Sequence, residues 1–116
     1  MQLKISTRTQ DGVLIADCAG RIVFGEESSE LRDKIKSLLA DNKRIILNLG
    51  ETNYIDSVGL GTLVALYTSA QNSGASIKLA NLTKRVGDLL QVTKLLTVFE
   101  VYDSVEKALD SFRVAA

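Results

Sequence analysis

In the stretch Tyr54-Ile55-Asp56-Ser57-Val58-Gly59-Leu60-Gly61-Thr62-Leu63 a carboxylate and a hydroxyl are neighbours, followed by two glycines and an apolar run of helical character. Three roles suit such a pair. The aspartate could accept a phosphoryl group, the serine could accept one, or the pair could simply cap a helix. A Ser or Asp ahead of a helix accepts hydrogen bonds from the unpaired first-turn N–H groups, a contribution of about 1 kcal/mol. Glycine inside a helix costs about 1 kcal/mol relative to alanine, so Gly59 and Gly61 suggest a place where something must approach closely.

The rest of the chain removes most other chemistry. It has no histidine, so a Ser-His-Asp or Cys-His nucleophile pair cannot be assembled and the commonest neutral-pH general base is missing. Gly59-Leu60-Gly61 lacks the third glycine of a dinucleotide fingerprint, and no Gly-Lys-Ser/Thr loop exists to cradle phosphates. Asp56 follows the central strand, as the acceptor does in response-regulator receivers. Those domains also need an acidic pair after the first strand to hold magnesium, and a lysine-proline after the last. Here the first strand runs into Gln10-Asp11 and proline is absent. The single cysteine, Cys18, lies in the apolar run Val13 to Ala19. It forms no internal disulfide or thiolate cluster and reads as a small buried side chain. No catalytic residue, metal ligand or cofactor motif is assigned.

At 116 residues the chain fits one domain with a sizeable core. Lysine plus arginine number 14 and aspartate plus glutamate 14, so no positive excess gathers nucleic acid or an anionic membrane surface. At 5% aromatic content, platforms for stacking single-stranded bases are scarce. Met-Gln-Leu-Lys does not open a secretory signal, and no apolar stretch is long enough to span a bilayer. The expected location is the cytoplasm. No internal repeat, linker or low-complexity segment is visible.

The elements that must position Asp56 and Ser57 can be read in order. Leu3 to Thr7 alternates apolar and polar, Asp11-Gly12 signals a hairpin turn, and Val13 to Ala16 resumes an extended pattern, so two antiparallel strands come first. Leu31, Ile35, Leu38 and Leu39 give one apolar face to a helix over about Glu26 to Ala40. Arg44 to Leu49 reads as a strand covered on both faces. Leu60, Leu63, Val64 and Tyr67 form the stripe of a second helix, ended by Asn72-Ser73-Gly74. Ile77 to Ala80 is the next strand. Thr83 to Gln91 forms a short helix with Val86, Leu89 and Leu90 inward, and Val98 to Tyr102 a last strand. Asp103 caps a closing helix, with Glu106 as capping-box partner and Val105, Ala108, Leu109 and Phe112 inward. The order β-β-α-β-α-β-α-β-α predicts an α/β fold: a mixed, mostly parallel central sheet behind an N-terminal β-hairpin.

On the second helix, Gly59, Thr62, Leu66, Ser69 and Ser73 are read as falling along a different side from Leu60, Val64 and Tyr67. That side is small and neutral. It suits either a tight contact within the domain or a docking surface for a partner protein.

The strand Ile45 to Leu49, a short loop ending in Tyr54-Ile55-Asp56-Ser57-Val58-Gly59-Leu60, the helix through Leu63-Val64-Ala65-Leu66 and the later Ile77-Lys78-Leu79 together resemble the anti-sigma factor antagonists, which are single STAS domains. The resemblance runs over essentially the whole chain, residues 1–116, and implies helices packed mainly on one face of the sheet. It implies a bacterial partner switch in which the unphosphorylated protein binds a GHKL-type serine-kinase anti-sigma factor and releases the sigma factor. By motif position the kinase phosphorylates Ser57, and a serine phosphatase reverses this. Asp56, Gly59, Leu60 and Thr62 then stand near the docking face, joined by Leu66 and Ser69 of the small side. Many members carry Ser or Thr where this chain has Val58, so one alternative acceptor is missing. The competing expectation is a STAS subunit that scaffolds a signalling assembly or a transport ATPase without phosphorylation.

Overall fold

Asp11 and Gly12 both take left-handed backbone angles, with φ of 55° and 77°, the conformation that a two-residue hairpin turn demands of its central pair. They join strands β1 (Leu3–Gln10) and β2 (Val13–Ile22), which pair antiparallel from Leu3 opposite Gly20 to Gln10 opposite Val13. The computed structural model describes residues 3–114. After the hairpin the chain alternates helix and strand: α1 (Glu26–Leu39), β3 (Arg44–Ile55), α2 (Ser57–Asn72), β4 (Ser76–Ala80), α3 (Lys84–Val92), β5 (Val101–Tyr102) and α4 (Val105–Val114). Strands β2 to β5 are parallel neighbours, and the sheet order follows the sequence, β1-β2-β3-β4-β5. Parallel pairing requires a crossover between successive strands, and each helix from α1 to α3 supplies one.

The core lies on both faces of the sheet, unequally. Helices α1, α2 and α3 cover one face, where Leu31, Ile35, Leu63, Leu66, Val86 and Leu90 pack on Ala16, Cys18, Ile45, Leu47, Leu49 and Leu79. Helix α4 alone covers the other, setting Ala108, Leu109 and Phe112 on Val13, Ile15, Ile46 and Ala80. Strands buried on both faces read as continuous apolar runs, which is why Val13 to Ala16 and Ile45 to Leu47 show no alternation. Full burial of one such side chain contributes roughly 1.5–3 kcal/mol. Cys18 is 1% exposed. The short α4 leaves the remainder of its face to polar groups: Arg8 Nε donates to Asp17 at 2.9 Å, and Asn48 Nδ2 donates to Asp17 at 2.7 Å.

Four local expectations are corrected. Strand β3 does not end near Leu49 but runs on to Ile55, with register shifts against β2 between Asp17 and Ala19 and between Gly20 and Arg21. The polar stretch Gly50 to Asn53, which composition marks as a loop, is therefore an irregular strand extension. Thr52 helps hold it, its buried hydroxyl donating to the Cys18 carbonyl at 2.8 Å. Strand β5 is only Val101–Tyr102, because Val98 and Phe99 turn back to bond the Leu95 carbonyl. Helix α1 stops at Leu39, one residue early. The side chain capping α4 is Ser104, whose Oγ accepts from the Lys107 N–H at 3.1 Å, in place of Asp103. Among the described residues no helix is long and apolar enough to cross a membrane.

Candidate functional site

Strand β3 ends at Ile55, at the carboxyl end of the parallel strands, and Asp56 turns the chain into α2 with an extended backbone, φ −96° and ψ −178°. Its carboxylate is used twice. Oδ1 accepts from the Gly59 N–H at 2.8 Å, capping α2, while Oδ2 accepts from the Phe24 N–H at 2.9 Å in the β2–α1 loop. The Asp56 N–H in turn donates to the Ile22 carbonyl at 3.3 Å. The bonds from Gly59 and then Phe24 favour the charged form and hold the Asp56 carboxyl below its ordinary range. The cap is thus Asp56. Ser57, left open by the sequence as a cap, is the first helical residue and is exposed.

Gly59 explains the closeness of the two loops. A Cβ there would lie 1.9 Å from the Ile22 carbonyl oxygen, so the first turn of α2 rests on the end of β2 backbone to backbone. The β2–α1 and β3–α2 connections therefore meet at the carboxyl ends of two adjacent parallel strands, where open α/β sheets present their sites.

The small side of α2 is rotated from the sequence-based expectation. Of that side Gly59, Thr62 and Leu66 are buried, Thr62 at 7% exposure with its hydroxyl donating to the Val58 carbonyl at 3.0 Å, Ser69 is half-buried and Ser73 exposed; Leu60 of the other stripe is buried as well. Leu60 and Leu66 belong to the core, Gly59 packs by its backbone on Ile22, and these positions do not form an outer surface. The outward residues are Ser57, Val58, Gly61, Ala65 and Thr68, followed at the helix end by Gln71 and Asn72. A Cβ on Gly61 would meet nothing within 4 Å. None of the 16 residues of α2 carries a charge, so the outward face is as small and neutral as the expected one. That lack of charge also explains why the sequence leaves the side open: with no Lys or Glu marking the solvent side, neighbouring apolar stripes on one helix look alike. Sequence reasoning also missed three large apolar groups near this end of the sheet, Phe24 at 75% exposure, Val58 at 44% and Tyr54 at 41%. Phe24-Gly25, a lone aromatic in a strand-to-helix loop, was the available signal for one of them. Among the described residues no three His, Cys, Asp or Glu side chains are grouped to hold a metal.

The Asp-Ser-x-Gly-Leu segment thus sits where a β strand meets an uncharged helix in a five-stranded mixed sheet. Residues 4–108 match the family model described as the STAS domain. The chain belongs to the STAS domain family. Along the STAS domain it is 26% identical over 102 residues to the anti-sigma-B factor antagonist of Bacillus subtilis (strain 168), covering 87% of this chain and 92% of that one. The fold is shared with an anti-sigma factor antagonist from Mycobacterium paratuberculosis, at a TM-score of 0.83 and 21% identity over 96% of this chain and 94% of the other. It is also shared with the Bacillus cell fate determinant SpoIIAA in its phosphorylated form, at a TM-score of 0.72 and 16% identity over 95% and 98%.

Proposed function

We propose that this STAS domain is an anti-sigma factor antagonist switched by phosphorylation of Ser57. The observation that carries this reading is an exposed serine hydroxyl at the first position of a helix whose outward face, Ser57, Val58, Gly61, Ala65 and Thr68, is uncharged and, apart from Val58, small. Charged residues are depleted in the buried centres of protein interfaces, and a flat neutral helix face can come close to a partner. The chain resembles anti-sigma-B factor antagonists along most of its length, and a structural relative is known in a phosphorylated form. The partner in this reading is a GHKL-type serine-kinase anti-sigma factor in the cytoplasm, bound by the unphosphorylated protein so that its sigma factor is released.

The kinase transfers the γ-phosphoryl group of ATP to the Ser57 Oγ, with ADP leaving and the hydroxyl proton passing to a base of the kinase. The product gains about −1.5 to −2 charges at neutral pH. At the start of α2 the phosphate meets helix N–H groups and the positive end of the helix dipole, so the fold tolerates it. Asp56, already bonded to the Gly59 N–H, adds a second negative charge beside it. Burying that pair without a counter-charge against a partner costs several kcal/mol. Docking therefore fails while the domain stays folded, and a serine phosphatase restores it. The test is incubation with the serine-kinase anti-sigma factor and ATP, followed by peptide mass spectrometry. Phosphate on the Ser57 peptide, absent in Ser57→Ala, supports the reading; phosphate elsewhere or nowhere overturns it.

A further inference from the structure

We propose that Phe24 is an apolar anchor of the docking surface, positioned by Asp56, and that it seats in an apolar pocket of the kinase bordering its phosphoryl-transfer centre. The inference rests on the Ser57 reading above, since whatever phosphorylates Ser57 must bring its catalytic centre against the surface around that residue.

Phe24 is 75% exposed, the most exposed of the described aromatic side chains. A single exposed apolar group on a mobile loop would mean little, but this loop is fastened from three directions. The Phe24 N–H is held by Asp56 Oδ2 at 2.9 Å. The Ile22 carbonyl receives the Asp56 N–H at 3.3 Å and has the first turn of α2 pressed against it at Gly59. The Val23 carbonyl accepts both the Ser28 hydroxyl at 2.6 Å and the Ser28 N–H at 3.1 Å, from the buried Ser28 of α1. With backbone groups of Ile22, Val23 and Phe24 all bonded, the ring stands in water on a rigid base. Little backbone entropy remains to be lost when a partner covers it, the arrangement expected of an interface hot spot.

The Asp56 carboxylate also explains why ring and serine belong to one surface. A single side chain bonds the first turn of α2 and the Phe24 backbone together, fixing the backbone that carries the ring relative to Ser57. Asp56 is therefore a positioning residue: it acts on the partner through Phe24. Asparagine at this position keeps one acceptor oxygen and turns the other into a donor, so one of the two N–H groups loses its partner.

The experiment uses the full chain and the purified serine-kinase anti-sigma factor of the same organism, with calorimetric affinities for wild type, Ser57→Asp, Phe24→Ala, Phe24→Leu, Asp56→Asn and the Phe24→Ala/Asp56→Asn double variant. The expected results are at least tenfold weaker binding for Phe24→Ala at an unchanged melting temperature, near-wild-type binding for Phe24→Leu, and a double variant hardly weaker than Phe24→Ala alone. The KM for Ser57 phosphorylation should rise with Phe24→Ala more than kcat falls. Faster hydrogen exchange of the Phe24 amide in Asp56→Asn would show the positioning directly. If wild type binds and Ser57→Asp does not, but Phe24→Ala binds like wild type, the anchor is wrong and the switch stands. If the effects of Phe24→Ala and Asp56→Asn simply add, Asp56 does not act through Phe24. If wild type and Ser57→Asp bind alike, the switch itself fails and the anchor falls with it.

Discussion

Gly59 and Ile22 approach so closely that a Cβ on the glycine would stand 1.9 Å from the isoleucine carbonyl oxygen. The obstacle is backbone at the end of a paired strand, which cannot swing aside as a flexible side chain could. Helix α2 consequently begins against the end of β2, and Ser57 and the Phe24 loop share one edge of the molecule.

Two glycines two residues apart on α2, Gly59 and Gly61, should therefore respond in opposite ways. Gly59→Ala is expected to destabilise the fold by about 2–3 kcal/mol through overpacking. Gly61→Ala has open space around it and should gain about 0.5–1 kcal/mol of helix stability while weakening partner binding, because the methyl projects from the proposed docking face. Thermal melts and calorimetry on both variants check this. A Gly59→Ala protein that melts like wild type would contradict the close contact.

The Asp56 carboxyl is held below its ordinary value of 3.8 by the bonds from Gly59 and Phe24. A group whose folded value is depressed stabilises the fold above its unfolded value, and the contribution disappears as pH falls through the folded value. Asp56→Asn should cost about 1 kcal/mol near neutral pH, the usual magnitude of one lost hydrogen bond, since asparagine keeps only one of the two acceptor oxygens. The melting temperatures of the two proteins should converge as pH drops below the ordinary carboxylate range. A gap that stays constant into strong acid would contradict the assignment.

Charge scanning of α2 distinguishes its two sides. Ala65→Glu, on the outward face, should leave the melting temperature nearly unchanged and weaken kinase binding at least about tenfold, or roughly 1.4 kcal/mol. Thr62→Arg should instead unfold or strongly destabilise the protein, because position 62 is 7% exposed and an unpaired charge there is costly. Equal stability of the two variants would return the docking face to the side read from sequence.

That reversal shows where sequence reasoning ran out. The element order, the hairpin turn at Asp11-Gly12 and the inward stripe of α4 were legible because each carries a sharp local signal: a turn dipeptide, or apolar positions set among charges. Helix α2 carries no charge to mark its outside, so the sequence leaves its small side open between an internal contact and a docking surface. Polar Gly50 to Asn53 hid the continuation of β3, which rests on tertiary bonds such as Thr52 to Cys18. Asp56 and Ser57 were singled out from their types and spacing, but which one caps depends on backbone angles that composition does not encode. The Phe24 clamp joins residues 32 positions apart and has no local signature.

Cys18 tests the packing of the sheet independently of any partner. It is 1% exposed, and burial pushes its thiol up to about 12. At mildly alkaline pH an alkylating reagent should modify it at least about a hundredfold more slowly in the native protein than in the unfolded chain, because reaction waits for opening of the core. Labelling at equal rates would show that the core around β2 is not closed as described.

The most direct test of the switch is the affinity of one preparation of the serine-kinase anti-sigma factor for four forms of the domain, compared by calorimetry: wild type, Ser57→Ala, Ser57→Asp and Ser57-phosphorylated. Wild type and Ser57→Ala should bind alike, since Asp56 provides the cap. Ser57→Asp and the phosphorylated form should bind at least about tenfold more weakly, a loss of roughly 1.4 kcal/mol, while all four keep the native circular-dichroism spectrum and melt within a few degrees of one another. Equal affinity across the four forms would contradict the switch.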